Sequence, residues 1–320
     1  MRDLLASVFT EDRVVVALGG PELGAAISAL PLDHLVFTGS TAVGRKVMAA
    51  AAANLTPLTL ALGGKSPAIV AADYPPAKAA ARLATGKWFN AGQTCIAPDY
   101  VLVARGSRDA LVEALRTEVA TRYPDLAASP DYTRIISDGH HARLRGLVED
   151  ARARGLQVVE LAKGASGAGA GAGAGERIIP PTLVLDPGGD AALMQEEIFG
   201  PVLPVIAYDS LDEAIAYVRG RERPLALYPF SHDRATVEAI LGQVVAGGVT
   251  VNDALLHFAA HGLPFGGGGA SGMGAYHGRA GFDAMTRAMP VLWQRRFAAS
   301  DLLKPPYRGL ADRRVRRLAR

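Results

Sequence analysis

Along the first sixty residues, apolar positions fall into two rhythms. Residues 13–18 (RVVVAL), 34–38 (HLVFT) and 57–62 (PLTLAL) are short apolar runs of strand length, the first rich in β-branched side chains. Between them, residues 21–30 follow a Gly-Gly turn and residues 43–54 are alanine-rich; both predict helices, and residues 2–9 read as the end of another. Strands that alternate with helices predict a parallel sheet joined by right-handed crossovers, and so an α/β fold. The same mixture continues, with helices over 75–90, 108–122, 139–154 and 211–219 and strands over 100–104, 182–185, 204–208 and 248–252. Residues 164–175 repeat only Gly, Ala and Ser, which cannot build a side-chain core, and predict a flexible loop. Residues 265–274 (FGGGGASGMG) carry enough glycine to suggest tight turns and close backbone approach.

Composition adds two points. Of the 320 residues, 49% are hydrophobic and 20% charged, as expected of a globular chain large enough for two domains. No apolar run is long enough to span a bilayer, and the charged start MRDLLASVFTEDR resembles no targeting peptide, so a cytoplasmic location is expected. The net charge of +3 comes from residues 304–320, which hold seven Lys/Arg and one Asp and leave the rest of the chain at −3. The basicity is therefore a tail, read as a solvated terminus rather than a nucleic-acid face.

One cysteine, Cys95, excludes an intrachain disulfide. It lies in NAGQTCIAPDY (90–100), a loop between a predicted helix and a predicted strand, where a thiol is better placed to react than on an apolar face. A small buried hydrophobe is the competing reading of a lone cysteine. FTGSTAVG (37–44) sits where a strand gives way to a helix; Gly39 there admits a pyrophosphate to the helix N-terminus, and Ser40 either binds phosphate or caps the helix. LGGKSP (62–67) follows the third strand, so Leu62 and Gly63 either line a cofactor cleft or make a turn. The seven histidines are scattered, and His140 and His141 point to different helix faces, so no metal site is expected.

These blocks occur in one order with QEEIFGPVLPV (195–205), RPLALYPFSHD (223–233), GGVTVNDALLHFA (247–259) and LPFGGGGASGMGAYHGRAGFD (263–283). Together they resemble the motif set of the aldehyde dehydrogenase superfamily, over about residues 4–294, and most closely its class 3 and coniferyl-aldehyde branch. The resemblance implies a Rossmann-type cofactor domain (1–62), an α/β catalytic domain (63–272) and a C-terminal segment (273–320) with a role in assembly and a basic tail. It implies NAD or NADP as cofactor, an apolar or aromatic aldehyde as substrate and a homo-oligomer, with a dimer foremost. By position, Cys95 resembles the nucleophile that forms a thiohemiacetal and then a thioacyl-enzyme. Glu197 resembles the acid that holds the nicotinamide ribose, Phe199 the aromatic beside the nicotinamide, and Asn252 an asparagine that shapes the site.

Two departures accompany the resemblance. The family pattern ELGGKSP places the general-base glutamate where this chain has Ala61. Loss of a positioned base costs about 10²–10⁴ in rate, and thioester hydrolysis is the step expected to suffer most. Family members also carry, before the helix at 2–9, a segment with two strands of the cofactor sheet, an oxyanion-hole asparagine and a ribose-binding lysine. The chain reads as truncated at that point, so the cofactor domain is expected to be incomplete and the strands at 34–38 and 57–62 to lose a neighbour. Two other readings follow. One is CoA-dependent thiolysis in place of hydrolysis; the other is an inactive remnant or a non-enzymatic subunit.

Overall fold

A computed structural model describes residues 1–162, 177–296, 298, 300, 304–305 and 309–319. The loop expected at 164–175 lies outside the described residues. The chain forms two units, Met1–Met285 and Thr286–Arg320.

The first unit contains two sheets. The smaller holds β1 (Leu35–Thr38), β2 (Leu58–Ala61) and β10 (Gly272–Met273), in the order β1-β2-β10. β1 and β2 run parallel through the crossover helix α3 (Thr41–Ala52), and β10 returns antiparallel to β2, with Gly272 opposite Ala61. One face of α3 carries Gly44, Val47 and Ala51, spaced three and four apart, and so turns inward. It packs on a small core of Leu35, Leu60 and Leu62, the last of which fills the space left by Gly44.

The larger sheet holds β3 (Pro67–Val70), β4 (Tyr100–Ala104), β5 (Gln157–Glu160), β6 (Thr182–Leu185), β7 (Val202–Tyr208), β8 (Ala226–Phe230) and β9 (Gly248–Val249). Their order is β5-β6-β7-β4-β3-β8-β9, parallel except for β5 against β6. β3 is buried along its whole length because helices cover both faces of a parallel sheet. The helices α4 (Pro76–Trp88) and α5 (Arg108–Arg122) pack on each other and send Leu83, Leu111 and Leu115 into the main core. The chain also forms α1 (Arg2–Ala6), α2 (Pro21–Ser28), α6 (Asp138–Ala153), α7 (Ala192–Gln195), α8 (Leu211–Arg219), α9 (Arg234–Gln243), α10 (Leu256–Ala259) and α11 (Gly278–Ala284). The second unit contains α12 (Leu310–Leu318), the arginine-rich end of the basic tail.

Three expectations need correction. The run at 13–18 forms no strand: Val15 and Leu18 are exposed, and the segment has no ladder partner. β-Branched side chains favour extended backbone, but a strand exists only where a neighbour accepts its hydrogen bonds. β2 does not lose a neighbour, because the glycine-rich return supplies β10; of β1 and β2, β1 alone keeps a side unpaired among the described residues. The strand expected at 248–252 stops at Val249, because Thr250 bonds the His257 ring and Asn252 adopts a left-handed φ of 59°. The two sheets separate between Ala61 and Pro67, and Gly272–Met273 returns to the smaller sheet.

Candidate active site around Cys95

α4 delivers the cysteine loop, and the short turn that follows it, Phe89–Gly92, sets the geometry. Asn90, Ala91 and Gly92 take left-handed φ values of 53°, 51° and 74° in succession, a costly arrangement for two residues bearing a Cβ. At Gly92 nothing but glycine fits, since an added Cβ would stand 2.2 Å from the Gly200 carbonyl oxygen. Gln93, buried, holds the turn from the far side. Its amide donates to the carbonyls of Asn90 and Arg134, and its Oε1 accepts from the Ile136 N–H. The loop then presents Cys95 partly exposed, with the backbone N–H groups of Cys95 and Ile96 directed at the sulfur.

The segment 196–201 packs over this loop and is fixed from four sides. Lys65 pairs with Asp99 and donates to the carbonyls of Leu193 (2.7 Å) and Glu196 (3.0 Å). Asp99 in turn accepts from the Ile198 N–H at 3.0 Å. From α6, His140 bonds the Phe199 carbonyl at 2.7 Å, and Arg143 reaches the Glu196 carboxylate and the carbonyls of Glu197 and Ile198. Trp88 Nε1 donates to the Pro201 carbonyl. This clamp holds Phe199 at a left-handed φ of 50° and sets the Glu197 carboxyl at the end of β2. There it accepts from the Gly64 N–H, and an added Cβ on Gly63 would lie 1.9 Å from Glu197 Oε2. Gly63 is thus a glycine because a carboxyl occupies the place of its side chain.

Ala61 is buried at the C-terminal end of β2, with Thr38 and Gly272 as its lateral neighbours. Leu60 and Leu62 face the α3 core, so the alternation of the strand turns Thr59 and Ala61 to the opposite face. On that face Tyr276 shares a hydrogen bond with the Thr38 side chain and lies near enough to Cys95 for the two ionisations to oppose each other. Tyr276 stands edge-on to Phe265, which stacks on His277 and His257, so an aromatic wall flanks the cysteine. Tyr228, also close to Cys95, donates its hydroxyl to the Ile96 carbonyl.

Burial pushes the Cys95 thiol up and the Glu197 charge adds to it, while the Cys95 and Ile96 N–H groups pull it back. Glu197 is itself pushed up to about 8, first by burial and then by Asp99, against the Gly64 N–H and the cations Lys65 and Lys87. Lys87 has no exposed surface and no hydrogen-bond partner for its Nζ among the described residues; burial pulls it down to about 8. Above pH 8 Glu197 is charged, so Glu197→Gln is expected to shift the alkylation midpoint of Cys95 downwards. Iodoacetamide labelling followed by intact mass across a pH series measures it. An unchanged midpoint would show that the two groups do not interact.

The residues singled out from the sequence do not all converge. Cys95, Glu197 and Gly63 belong to one contact network, with Ala61 two residues from Gly63. Gly39 donates to the Ala61 carbonyl and lies under the Phe37 ring, and Ser40 caps α3 by accepting from the Val43 N–H. Leu62 turns into the α3 core. Both ends of the Asn252 carboxamide are engaged by the Ser231 backbone, so its contribution to the site is positional. Among the described residues no group of three His, Cys, Asp or Glu could hold a metal ion, and no helix is long and apolar enough to cross a membrane.

Lys65, Lys87, Asp99, Gln93 and Tyr276 were missed by inspection of the sequence. Lys87 alone had a legible signal. It follows Ala80 and Leu83 at helical spacing, which puts an ammonium on the buried stripe of α4. The others act through partners 34 or more residues away, or through chain turns with no local signature.

Residues 4–291 match the aldehyde dehydrogenase family. A "Probable coniferyl aldehyde dehydrogenase" of Pseudomonas aeruginosa is 50% identical over 308 residues, which cover 96% of this chain and 63% of that protein. The chain therefore spans less than two thirds of this relative's length. The substrate-bound state of Staphylococcus aureus AldH superposes with a TM-score of 0.88 at 39% identity, over 100% of this chain and 67% of that one. A Mycobacterium tuberculosis aldehyde dehydrogenase complexed with NAD+ superposes with a TM-score of 0.72 at 33% identity, over 82% of this chain and 53% of that one. The chain belongs to the aldehyde dehydrogenase family.

Proposed function

We propose that the chain takes part in NAD(P)-dependent oxidation of an apolar or aromatic aldehyde to its acid, through an acyl group carried on Cys95. The observation that carries this reading is the strained turn at Asn90–Gly92, which holds one partly exposed thiol against two backbone N–H groups and an aromatic wall. Backbone strain of this kind persists where the surrounding structure enforces it, commonly at reactive sites. Attack of the Cys95 sulfur on an aldehyde carbon places the new oxyanion near the Cys95 N–H, which stabilises it. Phe265 and Tyr276 offer flat apolar surface, in keeping with the coniferyl aldehyde named for the Pseudomonas relative.

The residues present fit a dinucleotide. α3 is a 12-residue helix whose N-terminus follows Gly39 and Ser40 directly, and its first N–H groups have no partner within the helix. Gly39, Ser40, Gly63, Glu197 and Phe199 would hold NAD or NADP, whereas Leu62 is taken up by the α3 core. The bound nicotinamide supplies a hydride acceptor. With Ala61 in place of an acid, the step left without its usual proton acceptor is hydrolysis of the acyl group.

Incubation of the chain with NAD+ and coniferaldehyde, followed by intact mass, tests the reading. An acyl adduct that is absent from Cys95→Ser, accompanied by one burst of NADH, is expected. No adduct and no NADH would discard Cys95 as the nucleophile and leave a non-enzymatic subunit as the better account.

A further inference from the structure

We propose that α12 is an interaction surface for an anionic membrane, with its arginines on lipid phosphates and its apolar residues in the headgroup layer. The inference stands apart from the reading of Cys95. Residues 304–320 carry a net charge of +6 on a chain whose other residues sum to −3, so the attraction for phosphate is concentrated in this segment. The structure gives that charge a direction. α12 begins after Gly309, whose left-handed φ of 75° carries no side-chain penalty. Asp312 lies in its first turn and Arg316 and Arg317 in its last, so both ends suit the helix dipole. At helical spacing Val315 and Leu318 share one face, and Arg313, Arg316 and Arg317 share the opposite one.

The apolar face is uncovered. Val315 is 63% and Leu318 88% exposed, and among the described residues neither belongs to a hydrophobic core. A helix of nine residues is marginal in water by itself and gains most of its stability when an apolar face is covered. An anionic bilayer covers that face and meets the charge together. The exposed guanidinium groups of Arg313, Arg316 and Arg317 suit phosphate oxygens, which they can bind in pairs, while Val315 and Leu318 enter the headgroup boundary. Nucleic acid fits less well, because α12 has no aromatic residue to stack on bases and its apolar face would stay in water. A second copy also fits less well, because two apolar side chains from each helix bury too little area for a stable pair.

Co-sedimentation of the full chain with lipid vesicles tests the inference. The chain should pellet with phosphatidylcholine vesicles that hold about 30% phosphatidylglycerol and stay in solution with phosphatidylcholine alone. It should leave the anionic vesicles as salt rises from about 0.1 M to about 1 M. An arginine at such a surface contributes about fivefold, so the triple variant Arg313→Gln, Arg316→Gln, Arg317→Gln should bind about 100-fold more weakly. Val315→Ser with Leu318→Ser leaves every charge in place and should weaken binding about tenfold or more. All five positions are exposed, so both variants should melt as the parent chain does. Equal pelleting with both kinds of vesicle, or anionic binding that either variant leaves unchanged, overturns the inference. Retention of a single-stranded RNA in preference to the anionic vesicles overturns it in favour of nucleic acid. A dimer seen by light scattering that both variants dissolve, with no pelleting of the parent chain, overturns it in favour of a second copy.

Discussion

Ala61→Glu is expected to speed hydrolysis of an acyl group on Cys95 by about 10²-fold or more, the low end of what a positioned base contributes. The geometry permits the longer side chain. Ala61 faces away from the α3 core, and across the ladder its neighbour on one side is Gly272, which presents no side chain. A second carboxyl so near Glu197 brings a second effect. Two acids sharing a site cannot both ionise readily, so one is driven further up while the other stays charged. With p-nitrophenyl acetate, whose burst reports acylation of Cys95 and whose steady phase reports its hydrolysis, the steady rate should therefore follow the new carboxylate, the more acidic of the two. Stopped-flow measurement of burst and steady phases over pH 5–9 distinguishes these outcomes. A rate no faster than the parent's would mean that residue 61 does not face the acyl group.

Lys87→Met is expected to stabilise the fold by about 3 kcal/mol at neutral pH. The lysine is wholly buried, its Nζ has no hydrogen-bond partner among the described residues, and its folded-state value lies near 8 against an ordinary 10.5. Each such unit is a free-energy difference of about 1.4 kcal/mol between charged and neutral forms. Methionine fills a similar volume without a charge to desolvate. The sign of the pH dependence follows. Below pH 8 the amine is charged in both folded and unfolded chains, so the folded state bears the full penalty. Between pH 8 and 10.5 the folded chain sheds its proton first, and the penalty falls. The gain from Lys87→Met should thus be constant below pH 8 and shrink towards zero by pH 10.5. Melting temperature should rise by about 5–10 °C at pH 7, measured by calorimetry. A destabilised variant would show that the ammonium has a partner worth more than its desolvation. The same substitution removes a cation that favours the Glu197 carboxylate, so the more stable chain should keep Glu197 protonated to higher pH.

Much of this chain was legible in advance because its signals are local. Helices α2 to α6 and α8, and the strands β1, β2, β4, β6 and β7, follow from apolar runs and helical spacing that the backbone itself enforces. The order of seven motifs placed the chain in its family, and Ala61 marked the absent acid from a single position. Tertiary structure decided the rest, because pairing is a property of two segments. Residues 13–18 had every local reason to be a strand and formed none for want of a neighbour, while Gly272–Met273 had no local reason and became one beside β2. The site follows the same rule. Cys95 was visible as a thiol in a loop, but the strained turn that presents it depends on contact between Gly92 and Gly200. Glu197 was visible as an acid in a motif, but its raised pKa comes from burial and from Asp99, and its seat comes from a side chain that Gly63 lacks. Residue type is written in the sequence; the charge state and reach of a side chain depend on neighbours that only the fold brings together.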